Sequence, residues 1–301
     1  MKNNRSALLI ILVFVYSCTT EVKPDNLYEQ EEQVFIQGYL SPTDENISIY
    51  VSRALLNFGT KLSGNDYEEN KDKFVIKNAL VRIENTKGES ISLPYSLENR
   101  QYRVSKEEFA ITEGEKYYLE VDVEGKKFSS ECVIPKKIGI VNTKFGKGIS
   151  QYGGEGDFIT VSFEDLKGSK DFYIIGGRIV FEGLKYEGVE QEEDLSSELY
   201  FGLERFATDV IGDGNVISSK GEMYTYYYNE EDNVREILRV QVAHVDENLY
   251  QNLRATYSNY YNNDNPFAEY VIAPDNIEGK NGVGVFAGYN LTEKEIVLTD
   301  Q

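Results

Sequence analysis

Histidine is the residue type that most often carries acid–base chemistry, and the chain contains one, His244. A Ser-His-Asp site would have to be built around it. No Gly-x-Ser-x-Gly sequence occurs that would present a nucleophilic serine on a sharp strand-to-helix turn. His244 also continues the alternating apolar face of Leu238, Val240 and Val242. We therefore predict a structural histidine at a strand end, and a protein that is not an enzyme.

Cys132 is the only cysteine beyond the N-terminal segment, and it lies in an alternating strand pattern. We predict a small buried core residue there. Two cysteines and one histidine are too few for a zinc site. Calcium needs only oxygen ligands, which Asp209, Asp213 and Asn215 could supply, although Asp-Gly-Asn is also a turn sequence. The 51 acidic side chains show no spacing that singles out a glycosidase pair. We predict no cofactor and leave calcium open.

Tyrosine is unusually frequent, with 23 residues, whereas tryptophan is absent. A tyrosine ring favours protein interfaces because it is rigid and carries a polar tip. The tyrosines of 224–228 and those near 257–261 can therefore either pack in the core and at sheet edges or form a docking surface. The candidates for partner docking are Tyr226, Tyr228, Tyr260, Phe267 and Tyr289.

The N-terminal segment is typical of an export signal. A basic start precedes the apolar run Ala7–Tyr16, which is shorter than the roughly 20 residues needed to span a bilayer. The sequence Val15-Tyr16-Ser17-Cys18 that follows resembles the lipobox of bacterial lipoproteins. That resemblance implies cleavage before Cys18 and its acylation, so we expect a lipid anchor to hold the body at a membrane.

The chain is strongly acidic, with a formal net charge of −20, and this charge argues against nucleic acid as a partner. Binding to a phosphate backbone depends on clusters of Lys and Arg, so we predict no nucleic-acid partner. Passive adsorption to anionic headgroups is disfavoured for the same reason. Contact with the membrane is therefore expected through the lipid alone.

Short alternating segments separated by turn residues dominate the remaining sequence and predict a mainly β protein. The clearest hairpin joins Lys116–Val123 to Lys126–Ile134 through Glu124-Gly125. Seven or so such strands within the first 100 residues of this body, at 33–135, predict an N-terminal sandwich that resembles immunoglobulin or transthyretin modules, followed by a second β-rich domain. One amphipathic helix is predicted near 247–261, with Asp246 as its N-cap, and Gly176-Gly177 is expected to mark a β-bulge.

The sequence therefore predicts four segments in chain order. They are a signal peptide at 1–17, an acylated cysteine and polar tether at 18–32, a β-sandwich domain at 33–135, and a second β-rich domain at 136–301 that contains the helix.

Three C-terminal stretches resemble the closing motif of a Bacteroidota lipoprotein family catalogued as domain of unknown function 4249. They are Asn265-Pro266-Phe267-Ala268-Glu269, Asp275-Asn276-Ile277-Glu278-Gly279 and Gly284-Val285-Phe286-Ala287-Gly288-Tyr289-Asn290. The turn after Gly279 is longer here, through Lys280-Asn281, and the tryptophan usual in the helix is absent. The resemblance implies an outer-membrane lipoprotein associated with TonB-dependent transporters, and it supplies no catalytic or binding residue.

These observations lead to one expected function and its alternatives. We expect a non-enzymatic lipoprotein anchored in the outer membrane and facing the cell surface, which assists a TonB-dependent transporter in nutrient capture or import. A structural or adhesive surface protein is the main alternative, and a hydrolase with an unusual site is a third. A periplasm-facing orientation also stays open.

Overall fold

The computed structural model describes residues 32–54, 73–183, 195–224, 234–262 and 269–298. Strands dominate these residues, so the predicted mainly β class is confirmed. The strands are β1 (Gln33–Leu40), β2 (Asn46–Ala54), β3 (Leu80–Asn85), β4 (Ser90–Leu93), β5 (Tyr95–Ser96), β6 (Gln101–Ser105), β7 (Lys116–Val123), β8 (Lys126–Val133), β9 (Asn142–Ile149), β10 (Glu155–Glu164), β11 (Phe172–Glu182), β12 (Leu195–Glu198), β13 (Phe206–Thr208), β14 (Val216–Met223), β15 (Arg235–Val245) and β16 (Gly282–Val297). Helix α1 spans Glu247–Asn262, and short 3-10 helices span Gly202–Arg205 and Asp209–Ile211.

One long sheet runs through the molecule in the order β12-β11-β15-β16-β1-β2-β6-β5, with β13 also paired to β11. Two smaller sheets, β4-β3-β7-β8 and β14-β10-β9, each cover part of it. The first core lies between the β1, β2 and β6 region of the long sheet and the four-stranded sheet. The second core lies between the β11 and β15 region and the three-stranded sheet. Each half is thus a sandwich of two sheets.

Alternation of apolar and polar residues explains why these segments become half-buried strands. On β7 the buried side chains are Tyr117, Leu119, Val121 and Val123, and the residues between them are more exposed. The predicted hairpin to β8 is confirmed, with Val123 paired to Lys126. Glu124 and Gly125 both have positive φ, 54° and 87°, which is the backbone of a type I′ turn and matches the strand twist.

Strand β16 holds the two halves together because it pairs with both. Its first seven residues pair in parallel with β1, from Val34 with Gly282 to Leu40 with Gly288. Its later residues pair antiparallel with β15, from Tyr289 to Val297. Phe286 on β16 lies in the first core, whereas Ile296 packs against the second.

The connection between the two cores along the chain is short, since Ile134 belongs to the first core and Ile138 to the second. The predicted boundary at 135/136 stays a prediction.

The segment before β16 is fastened by a side-chain amide that imitates a strand. Asn276 Nδ2 donates to the carbonyl oxygen of Phe286 at 2.7 Å, and Phe286 N–H donates to Asn276 Oδ1 at 2.9 Å. Ser129 and Glu278 exchange two backbone hydrogen bonds, which tie the same segment to β8. The second and third stretches of the C-terminal motif therefore have an architectural role around β16, whereas residues 265–268 of the first lie outside the described residues.

Helix α1 packs on the face of the long sheet opposite the two cores. Leu249 and Tyr250 contact Phe172, Val285 and Ala287. The predicted cap is confirmed: Asp246 Oδ1 accepts the N–H of Leu249 at 2.9 Å. Asp246 Oδ2 accepts the N–H of Gly288 at 2.8 Å, and Asp246 N–H donates to the Gly288 carbonyl at 2.9 Å. One residue therefore starts the helix and joins it to β16.

The bulge expected at Gly176-Gly177 is wrong, because β11 and β15 pair without a break from Phe172–Val245 to Glu182–Arg235. A Cβ on Gly177 would lie 2.7 Å from the carbonyl oxygen of Arg239 and 2.9 Å from Leu199 Cδ1. Glycine is needed there for close packing inside a regular ladder. Strand β14 ends at Met223, and residues 225–228, which contain three of the tyrosines noted in the sequence, lie outside the described residues.

Within the described ranges, no helix is both long and apolar enough to cross a membrane.

Gly284→Ala is expected to lower the free energy of unfolding by about 3 kcal/mol. Gly284 has φ of 132°, and a Cβ there would overlap the backbone of Ile36 on the paired strand β1. Gly139→Ala is the matched control, because a Cβ at Gly139 meets nothing within 4 Å. Urea unfolding followed by circular dichroism measures both. Equal stability of the two variants would contradict the role given to the β1–β16 pairing.

Asp246 is expected to make stability depend on pH. Burial raises the pKa of its carboxyl from 3.8 to about 6, although the hydrogen bonds from Leu249, Gly288 and Asn248 act in the other direction. Because the folded pKa lies above the unfolded one, the contribution is full below pH 3.8 and is lost as pH rises through 6. The stability of the natural chain relative to Asp246→Ala should therefore fall by roughly 1–2 kcal/mol between pH 5 and pH 8. Urea unfolding at several pH values tests this, and a flat difference would refute it.

Candidate functional site

His244 lies near the end of β15 and is buried, with its ring centroid 4.8 Å from that of Tyr173. Nδ1 is 2.8 Å from the carbonyl oxygen of Lys136 and must donate a proton to it, because a carbonyl only accepts. Nε2 is 3.1 Å from Oδ1 of buried Asp171. Both ring nitrogens thus face acceptors, so His244 and Asp171 form a buried hydrogen-bonded pair.

The order of groups around this pair is not that of a catalytic triad. Ser169 Oγ lies 2.9 and 3.1 Å from the two carboxylate oxygens of Asp171. In a triad the serine bonds to the imidazole, which then removes its proton. Here the carboxylate lies between serine and histidine, and both histidine nitrogens are already engaged. The geometry supports the structural role predicted for His244.

Cys132 is buried in the first core, as predicted. Burial, followed by the nearby charges of Asp246 and Glu131, raises the pKa of its thiol well above the ordinary value. A nucleophilic cysteine needs a lowered pKa and access to substrate. Cys132 therefore packs as a small apolar residue.

The acidic loop considered for calcium uses its carboxylates for turns. Asp213 Oδ1 accepts the N–H of Gly168 at 2.9 Å, and Asp165 Oδ2 accepts the N–H of Gly214 at 2.8 Å. In the part of the chain that the structure describes, no three or more His, Cys, Asp or Glu side chains are grouped so that they could hold a metal ion.

A small pocket lined by tyrosines is the most distinctive surface of the second half. Its volume is about 210 Å³. We call it the tyrosine pocket and define it by Tyr152, Tyr200, Tyr224, Tyr257 and Tyr261. These residues come from the turn after β9, the segment after β12, the residue after β14, and the last two turns of α1. The pocket therefore depends on tertiary structure.

A hydrogen-bond network fixes one wall of the tyrosine pocket. Tyr224 Oη donates to Glu222 Oε2 at 2.8 Å and accepts from Gln151 Nε2 at 2.6 Å. Desolvation raises the pKa of Glu222, but hydrogen bonds from Ser150, Tyr224 and the Gln151 N–H outweigh it and lower the pKa. Burial raises the pKa of Tyr224 to about 12. Tyr224 is thus a neutral hydroxyl bound to an ionised carboxylate, and its ring has a fixed orientation.

The opposite wall is built by α1. Tyr257 and Tyr261 are one helical turn apart, and their ring centroids are 4.5 Å apart. The Arg205 guanidinium carbon lies 5.0 Å from the centroid of the Tyr257 ring, which is a cation–π contact. Tyr200 is positioned between the walls, because it exchanges two backbone hydrogen bonds with Glu222 and its ring centroid lies 6.4 Å from that of Tyr261.

Two larger clefts, of about 710 and 840 Å³, lie against the four-stranded sheet. Their lining mixes buried core residues such as Phe128, exposed apolar residues such as Leu80, and the ion pair of Arg82 with Glu120 at 3.1 Å. The tyrosine pocket differs from both clefts in composition, because five of its ten lining residues are tyrosines, whereas one tyrosine lines the first cleft and two line the second.

The residues predicted for partner docking do not form one cluster in the described part of the chain. Tyr226, Tyr228 and Phe267 lie outside the described residues. Tyr260 is exposed at the end of α1, and its ring centroid lies 5.4 Å from that of Tyr261. Tyr289 is part-buried, and its hydroxyl donates to Asp44 at 2.6 Å, which links β16 to the turn after β1. Docking through these residues stays a prediction.

Sequence reasoning missed Tyr152, Tyr200 and Arg205 as members of a site. Tyr152 lies in a glycine-rich turn, and Tyr200 lies in a short connection, so neither has a periodic pattern around it. The only local signal was the tyrosine spacing of four on α1, which places Tyr257 and Tyr261 on one helix face.

Replacement of His244 by leucine is expected to lower the free energy of unfolding by about 3 kcal/mol, because the buried carboxylate of Asp171 would lose the imidazole and keep only the hydroxyl of Ser169 as a partner. Asp171→Leu is the second single variant. The double variant, with both residues replaced by leucine, should lose less unfolding free energy than the sum of the losses in the two single variants. Urea unfolding of all four proteins gives the coupling energy, expected at roughly 1–3 kcal/mol. Strict additivity would show that the two side chains do not stabilise each other.

Comparison with known proteins places the chain in a family. No curated protein matches it significantly. The family model described as domain of unknown function 4249 matches residues 19–295, which cover nearly all of the sequence and the strands of both cores. The chain therefore belongs to the domain of unknown function 4249 family.

Proposed function

We propose that this protein is a non-enzymatic lipoprotein of the outer membrane that assists a TonB-dependent transporter in nutrient capture or import. The observation that carries the proposal is the tyrosine pocket, an aromatic surface in which hydrogen bonds from Tyr224 to Glu222 and from Gln151 to Tyr224 fix one wall. Pockets with aromatic walls and a few fixed polar groups are typical of ligand binding. A capture role uses such a surface without any reacting group.

The reactive side chains support binding in preference to catalysis. His244 has both ring nitrogens engaged, and burial raises the pKa of the Cys132 thiol. Catalysis needs a nucleophile, base or acid that can reach a substrate. The tyrosine pocket is lined instead by phenol rings, the amide of Gln151, the guanidinium of Arg205 and one carboxylate, that of Glu198.

Attachment to the membrane is proposed through acylated Cys18, with the body facing the cell surface. Cys18 lies outside the described residues, and the family match begins directly after it, at residue 19. Strand β1 begins at Gln33, so residues 19–32 are available as a tether between the lipid and the folded body.

A docking patch for the transporter is proposed beside the tyrosine pocket. Asn259 on α1 exchanges two hydrogen bonds with the backbone of Val271, at 2.7 and 2.8 Å. This contact holds Tyr270 and Ile272 next to the end of the helix, where Tyr260 is also exposed. These three side chains are 77–85% exposed. Exposed aromatic and aliphatic side chains held on a rigid support are typical of interaction surfaces.

The test is co-purification from membranes. The full chain, tagged after Gln301, is expected to bring down a β-barrel transporter in near-equal amounts from mild detergent. Tyr260→Ala combined with Ile272→Ala should reduce the recovered transporter at least about fivefold. Ile140→Ala is the matched control, because Ile140 is equally exposed but lies in the connection between the two cores. Cys18→Ala should move the chain out of the membrane fraction.

Three results would contradict the proposal. Recovery of the chain alone would favour an adhesive or structural protein, and a deletion strain with normal uptake would remove the import role. Unchanged membrane association of Cys18→Ala would disprove the lipid anchor.

A further inference from the structure

The tyrosine pocket has the shape of a site for part of a ligand, with one side open to solvent. Tyr152 and Tyr261, on opposite walls, are 82% and 54% exposed, so their ring faces are available. Tyr152 packs near Tyr224, with ring centroids 6.1 Å apart. A volume of about 210 Å³ suits a single small ring held between two aromatic surfaces better than a folded partner.

Polar groups of both charges surround these rings. Gln151 and Arg205 supply N–H donors, and Glu198 supplies a carboxylate, all lining the same pocket. The Arg205 Nε atom is buried and has no hydrogen-bond partner within the described ranges. An unmet buried donor costs free energy unless something accepts from it. The pocket therefore offers both hydrogen-bond donors and hydrogen-bond acceptors, and its lining contains one positive and one negative side chain.

The mixture of aromatic rings, N–H donors and a carboxylate in the tyrosine pocket favours a neutral ligand over a cation or an anion. A cationic ligand would be repelled by the Arg205 guanidinium, which already covers the Tyr257 ring. An anionic ligand would meet Glu198, and the chain as a whole carries a net charge of −20. A sugar ring is neutral, has a face of C–H bonds that packs on an aromatic ring, and carries hydroxyls that both donate and accept.

We propose that the tyrosine pocket binds one residue of a neutral saccharide, stacked on Tyr152 or Tyr261 with its hydroxyls bonded to Gln151, Glu198 and Arg205. The Gln151–Tyr224–Glu222 network holds the Tyr224 ring in place before binding, so little side-chain freedom is lost when the sugar enters. The inference deepens the proposed capture role by naming the class of molecule captured. It is tested on the purified protein alone, so its failure is distinguishable from failure of the transporter partnership.

Isothermal titration calorimetry on the natural chain is the experiment, with maltohexaose, laminarihexaose, xylohexaose and mannohexaose as neutral probes. Choline and trigalacturonate serve as charged probes. At least one neutral probe is expected to bind with a dissociation constant on the order of 0.1–1 mM. Because the chain lacks tryptophan, a change in tyrosine fluorescence on titration provides a second readout.

Two variants and a control locate the site. Tyr152→Ala and Tyr261→Ala should each weaken binding by about tenfold or more, since each removes a stacking surface. Both side chains are largely exposed, so the fold should survive, and urea unfolding checks this. Tyr118→Ala is the control, because Tyr118 is also an exposed tyrosine but lies on β7 in the other half of the molecule and should leave sugar affinity unchanged.

Three results would overturn the inference. They are the absence of binding to every neutral probe at 20-fold above the expected constant, unchanged binding by Tyr152→Ala and Tyr261→Ala together, and tighter binding of choline or trigalacturonate than of any neutral probe.

Discussion

The pairing of β16 with β1 is the constraint on which the rest of the fold depends. It joins residues near 34–40 to residues near 282–288, so the two ends of the described chain meet in one ladder. Parallel strands need a long connection, and here that connection contains the whole second half of the protein. The closeness of the two backbones requires glycine at 284. Loss of this contact would weaken the junction between the two cores, because in the described part of the chain β16 pairs with a strand of each half.

The same strand positions the helix and, through it, the tyrosine pocket. Asp246 bonds the first turn of α1 and the backbone of Gly288 at once, which fixes the direction of the helix relative to the sheet. Leu249 and Tyr250 then pack on Val285 and Ala287. The far end of the helix consequently presents Tyr257 and Tyr261 to the loops that follow β9, β12 and β14. The orientation of this surface feature thus depends on the carboxylate of Asp246, about three to four helical turns away along α1.

Local sequence patterns predicted the elements but not their long-range partners. Glu124-Gly125 specifies a type I′ turn, and Asp246 followed by Leu249 specifies a helix start, because both signals act within a few residues. The parallel pairing of β1 with β16 has no such local signal. Gly177 shows the same limit of local patterns. Glycine is required at this position because the backbone of Arg239, about 60 residues further along the chain, lies too close for a side chain. The tyrosine pocket could not be predicted because four separate segments build it.

The buried and part-buried polar side chains mainly hold the elements of the fold together. His244, Asp171, Asp246 and Glu222 are held by hydrogen bonds to backbone or to one another, and each stabilises a junction between elements. Buried polar networks of this kind rigidify a structure when every member is satisfied. The side chains left accessible are aromatic rings with fixed polar neighbours. Rings that are already ordered lose little side-chain freedom on contact with another molecule. The hydrogen bonds between elements therefore hold the accessible aromatic rings in a fixed arrangement.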